Sequence, residues 1–140
     1  MSAFENAQKF FEACETALGW EACKDYVEEA APLIAQSEPL IDIRTVEDYC
    51  NWMQGFGTVT AAGATYTLNA ASYDEERRIA LFFATYHGTH TGEGGPVPPT
   101  NKSTNSHYVY SLKMSDNDKV AEMTKIWNAP WAMRELGWIE

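Results

Sequence analysis

The sequence has 140 residues, enough for one domain (residues 1–140) that buries its own core. An aromatic content of 13% and a hydrophobic content of 45% exclude a disordered tail. The formal net charge of −10, with ten scattered Lys and Arg, sets the chain against a phosphate backbone, so no nucleic-acid partner is expected.

Helical signals fill the first half. Phe4, Ala7, Phe11, Cys14 and Leu18 follow one helical face, and Gly19 stops the run. A second, short helix is predicted to carry Tyr26, Val27 and Ala30 before Pro32 limits it. Thr45 is placed to cap a third, with Asp48 at the reciprocal position. Val46, Tyr49, Cys50, Met53 and Phe56 give that helix a buried stripe, which Gly55 and Gly57 end.

From Ala64 the period changes to two. Tyr66, Leu68 and Ala70 oppose Thr65, Thr67 and Asn69, and a charged turn, Asp74-Glu75-Glu76-Arg77, leads into a long strand from Arg78 to His90. Strands from Ser106 to Met114 and from Val120 to Trp127 flank the turn Ser115–Lys119. Pro130 suits the first turn of a C-terminal helix that Gly137 terminates. Helices first and antiparallel strands second predict an α+β layer fold, with helices over one face of a curved, mainly antiparallel sheet.

Three cysteines, Cys14, Cys23 and Cys50, have neither an even number nor a CxxC spacing. The reading is reduced, buried thiols in a cytoplasm, with no metal ion and no cofactor. The N-terminus carries acids where a secretory leader needs a basic segment, and no apolar run is long enough to span a membrane.

The segment Tyr86–Lys102, YHGTHTGEGGPVPPTNK, joins an apolar strand to a glycine- and proline-rich loop. Mobile backbone at the glycines and fixed φ at Pro96, Pro98 and Pro99 describe a shaped loop. GEGG at Gly92–Gly95 lacks the lysine and the strand-to-helix context of a phosphate loop.

Gly88-Thr89-His90-Thr91-Gly92, Gly95, Pro98-Pro99-Thr100, Glu122, Trp127 and Leu136-Gly137 resemble the SnoaL-like polyketide cyclase family of the nuclear-transport-factor-2-like superfamily, which includes ketosteroid isomerases. The resemblance is good over about the last sixty residues and extends to the first half only in element order. It implies a cone-shaped fold with an apolar pocket, a small hydrophobic ligand and aldol-type cyclisation or isomerisation of a carbonyl compound. The alternative is a non-catalytic ligand-binding or assembly module. A homodimer through the outer sheet face is expected, from long strands and a surplus of aromatics.

At the place where that family holds an acid/base aspartate, this chain has Asn128. An amide cannot shuttle a proton, but it can donate a hydrogen bond to an oxyanion, or simply cap the helix. Leu112 and Met114 stand where the family places polar pocket residues. A bulge could bring His107 into that role instead.

His87 and His90 lie three apart on a strand and therefore face opposite sides, which argues against a shared metal. One of them is a candidate base; the alternative for His90 is a tie between strand end and loop. Glu122 is a candidate acid if it faces the pocket, and otherwise a solvated partner of Lys113 and Lys125. Asp42, Arg44 and Asp48 resemble the acid-base-acid set of epoxide hydrolases, with helix capping as the alternative. Tyr86, Trp127 and Trp131, with Leu112 and Met114, are the expected pocket lining, and core or subunit packing is the alternative for the tryptophans.

Overall fold

The computed structural model describes residues 2–139. Helix α1 (Ala3–Glu15) begins at a reciprocal cap, in which Ser2 Oγ accepts from Glu5 N and the Glu5 carboxylate accepts from Ser2 N. The helix ends earlier than its apolar spacing predicts. Ala17 adopts a φ of 61°, which turns the chain away, so Leu18 leaves the stripe and is exposed. Phe10, absent from the predicted stripe, is fully buried.

Helix α2 (Trp20–Cys23) runs into a 3₁₀ turn at Lys24–Tyr26. The predicted helix through Ala30 does not form: Val27 bridges to Val120, and Ala30 has a φ of 58°. A strand that the sequence did not announce, β1 (Leu33–Ala35), pairs parallel with the last strand. Helix α3 (Val46–Gly55) is capped by Thr45 Oγ1, which accepts from Asp48 N. The α-helix ends at Gly55, as expected, but Gly57 does not release the chain. The chain continues through one wide π turn, Phe56–Thr60.

Strands β2 (Thr65–Asp74), β3 (Ile79–Thr89), β4 (Ser103–Met114) and β5 (Val120–Trp127) complete a sheet of order β1-β5-β4-β3-β2. Only the β1–β5 pair is parallel. β4 starts three residues before the predicted Ser106. A bulge between Leu68 and Ala70 breaks the alternation expected in β2, moving Ala70 opposite Phe83 on the outer face. Helix α4 (Ala129–Glu135), with proline in its first turn, lies against β4, where Glu135 Oε1 accepts from Thr104 Oγ1 and Asn105 N.

The core lies between the helices and the inner sheet face. Phe11 stacks on Phe82 of β3 at 4.7 Å and meets Tyr110 of β4 edge-on at 4.8 Å. Helices on one face and a mostly antiparallel sheet give the predicted α+β layering.

Candidate active site

A cleft of about 670 Å³ opens where α3 and its π turn face the glycine-rich loop. Trp52, Phe56 and Val59 form one wall, and Gly94, Gly95 and Trp138 the other. The loop is held in place by backbone bonds: Thr91 N and Gly92 N both donate to Thr60 O, and Thr60 Oγ1 donates to Glu93 O. Gly92 allows the close approach, since a Cβ there would lie 1.9 Å from Val59 O.

Behind the Trp52–Phe56 stack, whose ring centroids are 5.2 Å apart, a chamber of about 20 Å³ reaches Lys125, Tyr108 and Trp127. That volume is enough for one water-sized group. Four buried side chains form a hydrogen-bonded row beside it. Lys125 Nζ donates to Tyr49 Oη at 2.6 Å, Tyr49 Oη lies 2.9 Å from Tyr110 Oη, and Tyr110 Oη donates to Glu15 Oε2. Because the single Tyr110 proton goes to the carboxylate, Tyr49 donates to Tyr110, and all the donors point from Lys125 toward Glu15.

Lys125 is only 6% exposed and Glu15 3%. Burial lowers the pKa of the Lys125 amine, opposed by the charges of Glu15 and Cys14. Burial likewise raises that of Glu15, opposed by Lys125 and by the Tyr108 and Tyr110 hydroxyls. The phenols of Tyr49, Tyr108 and Tyr110 are pushed upward, chiefly by burial, and stay protonated. Five rings surround the Lys125 nitrogen, the nearest being Tyr49 at 4.9 Å and Trp127 at 5.0 Å, and their faces stabilise its charged form. Glu15 Oε1 and Tyr108 Oη have no hydrogen-bond partner among the described residues, and of the two Tyr108 borders the chamber.

Below this row the three cysteines, far apart in sequence, meet. Their sulfurs lie within 4.8 Å of one another, and Cys14 Sγ is 3.6 Å from Tyr110 Oη. Burial pushes the Cys14 thiol upward, while hydrogen bonds from Cys14 and Cys50 hold Cys23 down at about 4.

The structure distributes the residues singled out from the sequence widely. Tyr86, Leu112 and Met114 are buried on the inner face, and Tyr86 and Trp127 line the chamber. His87 lies on the outer face between Thr67 Oγ1 and Asn105 Oδ1, at 2.8 and 2.6 Å. Glu122 is also on the outer face, opposite Lys113 in the register. Its other expected partner, Lys125, is turned inward, because positions three apart on a strand face opposite sides. Asn128 is exposed at the start of α4, and its side chain makes no capping bond. Trp131 is half exposed on the same helix, outside the cleft lining.

His90 is 1% exposed and sits beneath the Gly95 wall. Its backbone ties the loop ends together, with His90 N donating to Lys102 O and Asn101 N donating to His90 O. Trp138 Nε1 donates to His90 Nδ1 at 3.0 Å, so the neutral ring carries its proton on Nε2 and is a donor there rather than a base. That Nε2 has no partner among the described residues.

No family model and no curated protein matches this sequence. Solved structures match it over nearly its whole length and define its class as an α+β protein of the SnoaL-like, ketosteroid isomerase-like cone fold. A protein provisionally named as a SnoaL-like polyketide cyclase, from Jannaschia sp. CCS1, superposes with a TM-score of 0.78 at 13% identity, covering 99% of this chain and 93% of the other. AclR from Streptomyces galilaeus, provisionally a hydroxylase, gives 0.76 at 17%, covering 99% and 86%. A protein of ketosteroid isomerase-like fold from Catenulispora acidiphila, solved with trimethylamine, gives 0.69 at 12%, covering 95% and 92%. At these identities the likeness is one of fold.

Proposed function

We propose that the cleft binds a small, flat, largely apolar carbonyl compound and that the buried row from Lys125 to Glu15 moves protons on it, in an aldol-type cyclisation or an isomerisation. The observation carrying this reading is the row itself: a carboxylate and an amine at opposite ends of two phenols, beside a chamber that adjoins an aromatic cleft. Both ends are displaced toward their uncharged forms, as acid/base groups at work near neutral pH are. Proton passage along the row interconverts the charged and neutral pairs without changing the net charge of the core. His90 Nε2, Asn128, Glu122 and His87 have no part in this row, and the chemistry does not need the aspartate that Asn128 replaces.

The test is exchange of an α-proton. Incubated in deuterium oxide with an aromatic ketone such as 2-acetylnaphthalene, the protein is expected to speed loss of the methyl proton signal and to show quenched tryptophan fluorescence through Trp52. Glu15→Gln should abolish the exchange while quenching persists. Quenching without exchange in the wild type would favour a ligand-binding module; neither effect would overturn the reading.

Self-association is the companion proposal. Ala70, Phe83, Val109 and Ile126 stand opposite one another across β2, β3, β4 and β5 and form an apolar row on the outer face, with Ile126 62% exposed. A row of this kind suits an isologous homodimer. Ile126→Glu should shift the sedimentation coefficient from dimer to monomer; a wild-type monomer across the micromolar range would overturn it.

A further inference from the structure

The row has an amine at one end, and an amine has a reaction open to it that a carboxylate lacks. We infer that Lys125 forms a covalent imine with the carbonyl group of its substrate, in the manner of an enzymic amine catalyst; this rests on the reading that the cleft takes a carbonyl compound.

The geometry carries the inference. Lys125 is the one buried lysine of the six in the chain; among the described residues its Nζ makes a single hydrogen bond, to Tyr49, and it borders the chamber beside the cleft. Among the described residues no carboxylate is hydrogen-bonded to the amine, so its lone pair is released by passing one proton down the row to Glu15. The groups facing it are Glu15 and Cys14 from α1, Tyr49 and Trp52 from α3, Tyr108 and Tyr110 from β4, and Trp127 from its own strand. Burial favours the free amine, which is the nucleophilic form.

The steps balance. The free amine attacks the carbonyl carbon, a C–N bond forms, and the oxygen takes a proton from Tyr49, which is resupplied through the row. The C–O bond then breaks and water leaves, carrying both amine hydrogens in net terms. A proton from the row converts the imine to an iminium. Loss of the α-proton to the same row gives an enamine, whose carbon can attack a second carbonyl of the substrate before water hydrolyses the product free. The amine thus does the electrophilic activation that an acid would otherwise supply.

The probe is 1-phenylbutane-1,3-dione, a flat aromatic diketone that condenses with a free amine, losing one water, to give a stable conjugated enaminone. At neutral pH the wild-type protein should gain the probe mass less one water and a new near-ultraviolet band, and peptide mapping should place the adduct on Lys125. Each pKa unit by which the amine is lowered raises its free fraction tenfold, so occupancy at Lys125 should exceed that at any exposed lysine by about tenfold or more. Lys125→Met should lose the band, with folding checked by circular dichroism. Adducts confined to other lysines, or fluorescence quenching by the probe with no adduct, would overturn the imine and leave the binding cleft standing. Neither quenching nor adduct would overturn both.

Discussion

Lys125 Nζ and Tyr49 Oη lie 2.6 Å apart with the amine as donor, and this contact joins the last strand to the third helix in the centre of the core. Among the described residues it is the one hydrogen bond of the amine, whose charged form is otherwise supported by ring faces.

Tyr49→Phe keeps the ring and deletes the bridge between Lys125 and Tyr110. A buried donor losing its partner costs about 1–3 kcal/mol, to be read from urea unfolding. The α-proton exchange of 2-acetylnaphthalene should fall about 10²-fold or more, since general acid/base groups contribute on that scale.

The two ends of the row titrate in opposite senses. Glu15 has a folded pKa above the unfolded value of about 4.3, so the native state holds more protons between the two values and stability falls as pH rises through that window. Lys125 has a folded pKa below the unfolded value of about 10.4, so the unfolded state holds more protons in that window and stability rises with pH. Melting curves should therefore show an acid-side decline that Glu15→Gln removes and an alkaline-side rise that Lys125→Met removes. Each pKa unit of displacement corresponds to about 1.4 kcal/mol.

Gly92 and Gly55 should respond oppositely to alanine. At Gly92 the new Cβ meets backbone, Val59 O at 1.9 Å, and nothing in the loop can yield without breaking its bonds to Thr60. Gly92→Ala should lower the melting temperature by several degrees and weaken quenching by cleft ligands. At Gly55 an added Cβ would meet nothing within 4 Å beyond its own helix backbone among the described residues, so Gly55→Ala should stabilise by about 0.5–1 kcal/mol.

Asn128→Asp places a carboxylate in solvent, because the side chain is exposed. The expected change is within about 0.5 kcal/mol, as for surface substitutions generally, with melts of both proteins running parallel from acid to neutral pH. A loss that grows as pH rises would mean that the side chain turns into the cavity.

The layering was legible because the period switches from helical to alternating near Ala64, and the inward face of a strand follows from alternation except where a bulge, as between Leu68 and Ala70, breaks it. The inward row of β5, Met123, Lys125 and Trp127, could have been read from the same parity, yet a lysine is habitually assigned to solvent and so Lys125 was paired with Glu122. Glu15 gave a similar signal, standing four residues after Phe11 on the buried face of α1. The thiol cluster left no trace in the spacing, because Cys14, Cys23 and Cys50 converge only through the packing of three helices. β1 is three residues long, too short for periodicity to register.

That short strand has a kinetic meaning. Ala35 pairs with Lys125, so the segment bearing the amine is held on one side by β4 and on the other by residues about ninety positions earlier in the chain. The contacts within the row close comparably long loops, with separations of 95, 61 and 76 residues. Contacts that distant are costly to assemble before the chain has collapsed. The row is therefore expected to be completed late in folding, after the β3–β4 hairpin, so that a half-made chain does not yet hold the buried amine on which the proposed imine depends.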